Sequence, residues 1–225
     1  MEQPSGDGRN GDDKFRALME LYAPVREEIK ARLEEFRQKW ATGTDEDIFT
    51  ELAFCLLTPQ SRARTCWAAI ESLNEKCLVI RGAPDEILGE LGGVRFKFRK
   101  AEYICQARAK FSQSGKLSIK STISGFSDPF KAREWLVENI KGLGYKEAGH
   151  FLRNIGFGDD LAILDRHILR NLLLFGVIEE IPKSMTRKAY LDIESKMRAF
   201  SKRIEIPMAE LDLLLWYKEA GEIFK

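Results

Sequence analysis

The sequence Lys141-Gly142-Leu143-Gly144-Tyr145-Lys146 separates two segments whose apolar residues recur at helical spacing. The first segment begins at Asp128-Pro129, where an N-cap residue precedes a proline at the first helical position. Gly142 and Gly144 favour a tight left-handed turn, and the second helix is expected to start near Tyr145. The stretch from about residue 128 to 156 therefore predicts a helix-hairpin-helix motif.

The second helix of this motif predicts a phosphate site and a nucleophile. Backbone N–H groups at a helix N-terminus bind phosphate without reading base sequence, which indicates a nucleic acid contacted around Gly142 and Gly144. Lys146 lies in the first turn of that helix, where the positive end of the macrodipole disfavours the protonated ammonium. Because a neutral lysine is a nucleophile, Lys146 is a candidate catalytic residue.

A carboxylate nineteen residues later completes the candidate chemistry. Asp165 precedes the amphipathic run Arg166 to Leu174 and is predicted to be the N-cap of that helix. A carboxylate held by backbone donors stays ionised and can stabilise a cation developing on a sugar ring, as loss of a base from deoxyribose requires. Alone, Lys146 is compatible with a solvated surface lysine and Asp165 with an ordinary cap. Their combination with the hairpin favours catalysis.

Two longer stretches, Gly142–Asn154 and Ala162–His167, resemble the archaeal-type 8-oxoguanine DNA glycosylase/AP lyases of the helix-hairpin-helix superfamily. The resemblance extends from about Phe36 to Lys225 and includes three further motifs, Phe54–Thr58, Arg99–Ile104 and Leu211–Tyr217. It implies that Lys146 attacks the anomeric carbon of the damaged nucleotide and forms a Schiff base, with Asp165 assisting. Excision of 8-oxoguanine from double-stranded DNA and β-elimination at the abasic site would follow, and the substrate is implied by the resemblance alone.

The resemblance also implies contacts around the extruded nucleotide. Gln60 stands where the superfamily often places a side chain that fills the vacated stack, although Pro59-Gln60 replaces the usual Ala-Asn of close relatives. A helix-capping loop is the alternative for this segment. Phe96, between basic residues, is implied to stack on the flipped guanine, against the alternative of simple packing.

The C-terminal helix is implied to line the lesion pocket. Asp212 and Trp216 lie four residues apart on one helical face, and Lys225 follows nine residues beyond Trp216. By resemblance, Lys225 is a candidate for the contact that distinguishes 8-oxoguanine from guanine. The alternatives are a tryptophan that packs its helix and a terminal segment that frays.

Apolar residues at a period near 3.6 along most of the chain predict an all-α fold. One such face comprises Tyr22, Val25, Ile29, Leu33, Phe36 and Trp40. The resemblance implies two helical lobes, residues 14–47 with 158–225 and residues 48–157, with Lys146 and Asp165 facing each other across their boundary. Residues 1–13 are acidic and rich in Gly, Asn and Asp, and are expected to be a disordered extension.

The composition limits the other classes of protein to which the chain could belong. The formal net charge is +1, with 44% hydrophobic and 32% charged residues. Two histidines without ligand spacing predict no metal, and no apolar run reaches membrane-spanning length. The four cysteines, Cys55, Cys66, Cys77 and Cys105, include no C-x-x-C pair, and no secretory signal suggests disulfides, so reduced thiols in a cytoplasmic protein are expected. A monomer is expected because no spare apolar face is evident, and no cofactor is expected. Many superfamily members carry an iron-sulfur cluster on C-terminal cysteines, and the absence of cysteine after Cys105 predicts none here.

A basic stretch runs from Arg95 to Lys120, with eight Lys or Arg against Glu102 alone. It is compatible with a solvated helix face or with a DNA-facing wall. Three alternatives to an 8-oxoguanine enzyme remain open at this point: a glycosylase for oxidised pyrimidines, a non-catalytic DNA-binding module that uses the hairpin alone, and a helical scaffold for protein partners.

Overall fold

The computed structural model describes residues 7–225, with side chains from residue 13 onward. It confirms the all-α class, since helices account for nearly all of its regular structure. The helices are α1 Asp7–Thr42, α2 Asp45–Leu57, α3 Ala63–Glu75, α4 Leu78–Arg81, α5 Pro84–Glu90, α6 Lys97–Lys110, α7 Ile119–Ser124, α8 Pro129–Asn139, α9 Tyr145–Asn154, α10 Arg166–Leu174, α11 Arg187–Arg203 and α12 Met208–Ala220. A short antiparallel pair, β1 Ser112–Gln113 and β2 Lys116–Leu117, lies between α6 and α7.

Two compact units divide the chain. The first, here the terminal unit, comprises the residues up to Glu34 and Leu164–Lys225, and the second, the middle unit, is Glu35–Ile163. The lobe boundaries implied by the resemblance, at 47/48 and 157/158, differ from these bounds. The end of α1 belongs to the middle unit because it packs against residues of that unit. The Arg153 guanidinium lies 5.2 Å from the Phe36 ring centroid, and the rings of Trp40 and Phe157 are 5.4 Å apart.

In the middle unit, α2 is the central helix. Nine of its thirteen residues are buried, and α3, α6, α7 and α9 pack against it. Its start is a capping box: the Asp47 amide donates to Thr44 Oγ1 over 3.2 Å, and Asp47 Oδ2 accepts from the Thr44 amide over 2.8 Å. The hydrogen bonds that the Thr44 amide and hydroxyl donate to the Asp47 carboxylate lower the pKa of Asp47 because they favour its ionised form.

In the terminal unit, α10 and α11 pack on α12, which buries Leu211 and Leu213–Leu215 completely. The predicted apolar face of α1 is buried here as far as Leu33. The Tyr22 hydroxyl donates to the Glu210 carboxylate, and burial together with this hydrogen bond raises the pKa of Tyr22 to about 12.

The structure differs from the sequence prediction at the N-terminus. Helix α1 begins at Asp7, so residues 7–13 of the expected disordered extension have helical backbone, whereas residues 1–6 lie outside the described residues. Once a helix has nucleated, each added residue contributes a further backbone hydrogen bond, and α1 can propagate upstream from its buried face.

The β1–β2 hairpin was not predicted from the sequence. Ser114 and Gly115 connect its strands with φ values of +50° and +78°, the left-handed backbone that tight two-residue hairpin turns require. Among the described residues, no helix has the length and hydropathy needed to span a membrane.

Several residues of the basic stretch make hydrogen bonds within the fold or are buried, and do not form a continuous charged surface. The Arg108 guanidinium donates to the carbonyls of Val79 and Gly82 at 3.0 and 2.6 Å, at the end of α4. Lys120 Nζ donates to the Gly43 carbonyl at 2.7 Å, and Lys100 is 97% buried, with an exposed fraction of 3%. Neither a solvated face nor a DNA-facing wall therefore describes the whole stretch.

Candidate active site

The structure confirms the helix-hairpin-helix. The Asp128 carboxylate accepts from the Lys131 amide at 2.9 Å as the N-cap of α8, and Pro129 is the first helical residue. After α8, Gly142 has φ +91°, and Gly144 is the extended N-cap residue of α9. The first turn of α9 consequently begins directly after a left-handed turn, as the sequence predicted.

The turn at Gly142 requires glycine for two reasons. Its φ lies in the left-handed region, and a Cβ atom there would lie 2.3 Å from Cδ2 of the Tyr103 ring on α6. The hairpin backbone is therefore held directly against α6, which fixes the direction of the amides at the start of α9.

Gly142→Ala is expected to destabilise the middle unit by about 3 kcal/mol, since left-handed strain adds to overpacking against Tyr103. Urea denaturation measures this, and binding to undamaged duplex DNA should weaken with it. Gly115→Ala is the matched control, because Gly115 has φ +78° but no atom within 4 Å of an added Cβ. Gly115→Ala should lower the free energy of unfolding by about 1 kcal/mol. Equal losses in the two variants would show that the Tyr103 contact does not constrain the turn.

Lys146 is the second residue of α9. One quarter of its side chain is exposed, and its Nζ lies 3.7 Å from Glu147 Oε1. The amine is therefore partly shielded from water but accessible, at the positive end of a helix dipole. Farther along α9, the His150 ring packs edge-on against Phe54 at 5.7 Å, so the middle of the helix is anchored in the core of the middle unit.

Gln60 and Phe96 also belong to the middle unit, and both have left-handed backbone, with φ +56° and +58°. Such values are uncommon for residues other than glycine. Gln60 is exposed, and Phe96, the residue before α6, is 53% exposed with the Arg95 guanidinium 5.6 Å from its ring centroid. Simple packing does not account for an aromatic ring that is this exposed.

Asp165 is the N-cap of α10, as predicted. Its Oδ1 accepts from the backbone amides of His167 and Ile168, each at 2.8 Å. The side chain is half-buried, and two backbone donors fix its direction. A carboxylate held in this way is suited to stabilising a nearby positive charge.

His167 connects Asp165 with the C-terminal helix of the terminal unit. Its amide donates to Asp165, and its ring meets Trp216 edge-on at 5.4 Å. Glu219 Oε2 lies 3.5 Å from His167 Nδ1, and the side-chain amide nitrogen Nδ2 of Asn171 donates to Glu219 Oε1 at 3.0 Å. The hydrogen bond from Asn171, more than any other contact, lowers the pKa of Glu219. His167 was not predicted from the sequence to be a site residue, and its position two residues after Asp165 was the available signal.

The other predicted pocket residues lie in the same unit. Asp212 is 4% exposed on α12, one turn before the half-buried Trp216. Lys225 is half-buried, and the preceding Ile223 and Phe224 are buried, which disfavours the alternative of a frayed terminal segment. The terminal unit thus contains Asp165, Asp212, Trp216 and Lys225, and the middle unit Lys146, Gln60, Phe96, Gly142 and Gly144. That Lys146 and Asp165 face each other stays a prediction.

No group of three or more His, Cys, Asp or Glu side chains suited to a metal ion occurs in the part of the chain that the structure describes. All four cysteines are free. The Cys66 thiol is buried and donates to the Leu57 carbonyl at 3.1 Å, and burial raises the pKa of this thiol.

The fold is all-α, and a left-handed glycine turn leads into a helix that carries Lys146 in its first turn, which is a helix-hairpin-helix arrangement. The chain belongs to the family described as 8-oxoguanine DNA glycosylase with this motif, whose model matches residues 29–206.

Individual relatives agree with this assignment. A Fusobacterium nucleatum protein named 8-oxoguanine DNA glycosylase/AP lyase is 48% identical over 214 residues, covering 95% of this chain and 99% of its own. A protein of the same name from Methanocaldococcus jannaschii is 40% identical over 202 residues, with 89% and 93% covered.

Solved structures give the same result. The 8-oxoguanine DNA glycosylase of Thermotoga maritima superposes with a TM-score of 0.85 at 34% identity, covering 96% of this chain and all of its own. The Methanocaldococcus jannaschii glycosylase/lyase, in complex with a 15mer DNA containing 8-oxoguanine, gives 0.84 at 37% identity, with 94% and 99% covered.

Proposed function

We propose that this chain excises 8-oxoguanine from double-stranded DNA and then cleaves the strand at the abasic site. Membership of the family supports the reaction, and the single observation that carries it is Lys146 in the first turn of α9, directly after the Gly142 turn. A DNA phosphate bound by the amides at the start of α9 would bring the sugar-phosphate backbone to the amine.

Lys146 is the nucleophile of this proposal. Its neutral amine forms a bond to C1′ while the bond from C1′ to the base nitrogen breaks, and the base leaves with that electron pair and with one of the two protons of the amine. The bond from C1′ to the ring oxygen O4′ then breaks, O4′ takes a proton from water, and a protonated Schiff base between Lys146 and C1′ remains. Loss of a proton from C2′ then expels the 3′ phosphate, which is β-elimination, and water finally releases Lys146.

Asp165 stabilises the positive charge that develops on the sugar as the base departs. Two backbone amides hold its carboxylate at 2.8 Å, so its direction is set before the substrate arrives. A preorganised charge costs no reorganisation at the moment of reaction, and this is why an N-cap position suits the role.

The remaining predicted residues contact the extruded base or fill the gap that it leaves in the duplex. Phe96 stacks on it, Gln60 fills the vacated stack, and Trp216 with Asp212 lines the pocket from α12. 8-Oxoguanine carries a proton on N7 that guanine lacks. A buried acceptor for this proton penalises guanine by about 1–3 kcal/mol because it stays unpaired when guanine enters.

Release of free base from a panel of duplexes under single-turnover conditions tests the proposal. The panel contains 8-oxoguanine opposite cytosine, an oxidised pyrimidine opposite its normal partner, and an undamaged guanine. We expect base release and a nicked strand with the first duplex only. Release of base from the oxidised-pyrimidine duplex alone would show that the chain is a glycosylase for oxidised pyrimidines. Binding without release of base from any duplex would favour a non-catalytic DNA-binding module.

Lys225→Ala is expected to slow excision of 8-oxoguanine about tenfold while affinity for undamaged duplex stays within about twofold, because Lys225 contacts the base rather than the backbone. Lys202→Ala, an exposed lysine on α11, is the matched control and should leave both quantities unchanged. An unaltered excision rate in Lys225→Ala, or an equal loss of excision in both variants, would show that Lys225 does not contact the base.

A further inference from the structure

Lys100 is a buried lysine that the proposed chemistry does not use. It lies in the first turn of α6 with 3% of its surface exposed. Its Nζ donates to the carbonyls of Leu57 and Pro59, each at 2.7 Å, and to Ser61 Oγ at 3.1 Å. An ammonium has three donors, and here all three have acceptors, in the last residue of α2 and in the loop that follows it.

Ser61 extends this contact to a second loop. Its hydroxyl oxygen also accepts from the backbone amide of Arg95 at 3.0 Å. We call this set the Lys100 hub: Lys100 Nζ, the carbonyls of Leu57 and Pro59, the Ser61 hydroxyl and the Arg95 amide. It joins the loop between α2 and α3 to the loop before α6, and all its members lie in the middle unit.

The hub lies next to the two non-glycine residues already described with left-handed backbone. Gln60 stands between Pro59 and Ser61, with φ +56°, and Phe96 directly follows Arg95, with φ +58°. Each such conformation is unfavourable for a residue other than glycine and persists only where surrounding contacts impose it. The hydrogen bonds of the hub fix the backbone on both sides of Gln60 and on the N-terminal side of Phe96.

Burial of the ammonium is itself unfavourable. Desolvation, the largest influence, lowers the pKa of Lys100, and only complete hydrogen bonding makes a buried cation tolerable. An apolar side chain would fill the same space without this desolvation, but it could not hold the end of α2 and the following loop in a fixed arrangement. The buried charge is therefore explained by the loop geometry that it imposes.

We propose that Lys100 is a positioning residue that, through Ser61, holds Gln60 and Phe96 in a fixed relative geometry, so that filling of the vacated stack and stacking on the extruded base occur together. This inference rests on the proposed function and adds two residues to it, neither of which contacts the reacting atoms.

A double-mutant cycle with Ser61→Ala and Gln60→Ala tests the coupling. Ser61→Ala removes the link between the loops but leaves Lys100 its two carbonyl acceptors, so it disturbs folding less than a change of Lys100. We expect about tenfold slower single-turnover excision of 8-oxoguanine in Ser61→Ala. In the Gln60→Ala background the same change should slow excision by less than about threefold, since one of the two residues whose relative geometry the hub fixes is already gone. Fully additive losses would overturn the proposal.

A second readout separates positioning from general damage. Cleavage of DNA that already contains an abasic site needs no base to be stacked, so Ser61→Ala should cleave it within about twofold of the wild-type rate. Ser72→Ala is the matched control: Ser72 Oγ donates to Glu90 Oε2 at 2.6 Å in the same unit, away from the hub. It should retain wild-type excision. Equal losses on both substrates, or in both serine variants, would show that Ser61 is only structural.

Failure of the proposed function gives a different result. If the wild-type chain does not release 8-oxoguanine, the proposed activity is wrong and the hub has no excision step to support. If the wild-type chain excises the base and the cycle is additive, only the hub proposal is wrong.

Discussion

Lys146→Gln is expected to lose excision and strand cleavage together, by about 10⁴-fold or more, because glutamine has no amine to attack C1′. Glutamine has nearly the helix propensity of lysine, so α9 should keep its first turn and the melting temperature should stay within a few degrees of wild type. The amides at the start of α9 are also unchanged, and affinity for undamaged duplex should fall only slightly.

Rates from single-turnover assays on 8-oxoguanine duplex and on abasic-site duplex measure this loss. Lys131→Gln provides the control, since Lys131 is exposed in the first turn of the preceding helix, α8. It should retain full activity on both substrates. If Lys146→Gln keeps base release but loses strand cleavage, another group attacks C1′ and the nucleophile is misassigned.

Asp165→Asn is expected to slow base release by about 10²–10³-fold, the scale of losing one preorganised electrostatic contact to the transition state. Asparagine caps helices as well as aspartate, so the hydrogen bonds to the amides of His167 and Ile168 can persist. Stability should change by less than about 1 kcal/mol, which is the contribution of a charge at a helix N-terminus. The substitution thus removes the charge and keeps the structure.

Asp128→Asn makes the same chemical change at another N-cap. Asp128 accepts from the Lys131 amide on α8 and has no role in the proposed reaction. Stability should respond similarly in the two variants, but only Asp165→Asn should slow base release. A rate loss of less than about threefold in Asp165→Asn would mean that the carboxylate charge does not assist the departure of the base.

The sequence allowed these residues to be predicted because their signals are local. Asp128 and Asp165 are N-caps immediately before amphipathic runs, and Gly142 occupies a turn that only glycine forms without strain. Thr44 and Asp47 form a capping box within four residues. In each case the residues that interact are close in sequence, so their spacing alone indicates the structure.

Other features depend on contacts between distant segments. Lys100 is one of eight basic residues in a polar stretch, and only the packing of α6 against the end of α2 brings it to the Leu57 and Pro59 carbonyls, about forty positions away. The boundary of the middle unit at Glu35 likewise falls within one continuous helix. Nothing in the local pattern of α1 indicates that its last turns pack on residues 153–159.

Borohydride trapping on a duplex with one 8-oxoguanine opposite cytosine tests the central claim most directly, because reduction converts the Schiff base between Lys146 and C1′ into a stable amine. The wild-type chain should become covalently linked to the damaged duplex, but not to an undamaged one, and Lys146→Gln should give no adduct. An adduct that persists in Lys146→Gln, or excision by the wild-type chain without any adduct, would contradict the assignment of Lys146 as the nucleophile.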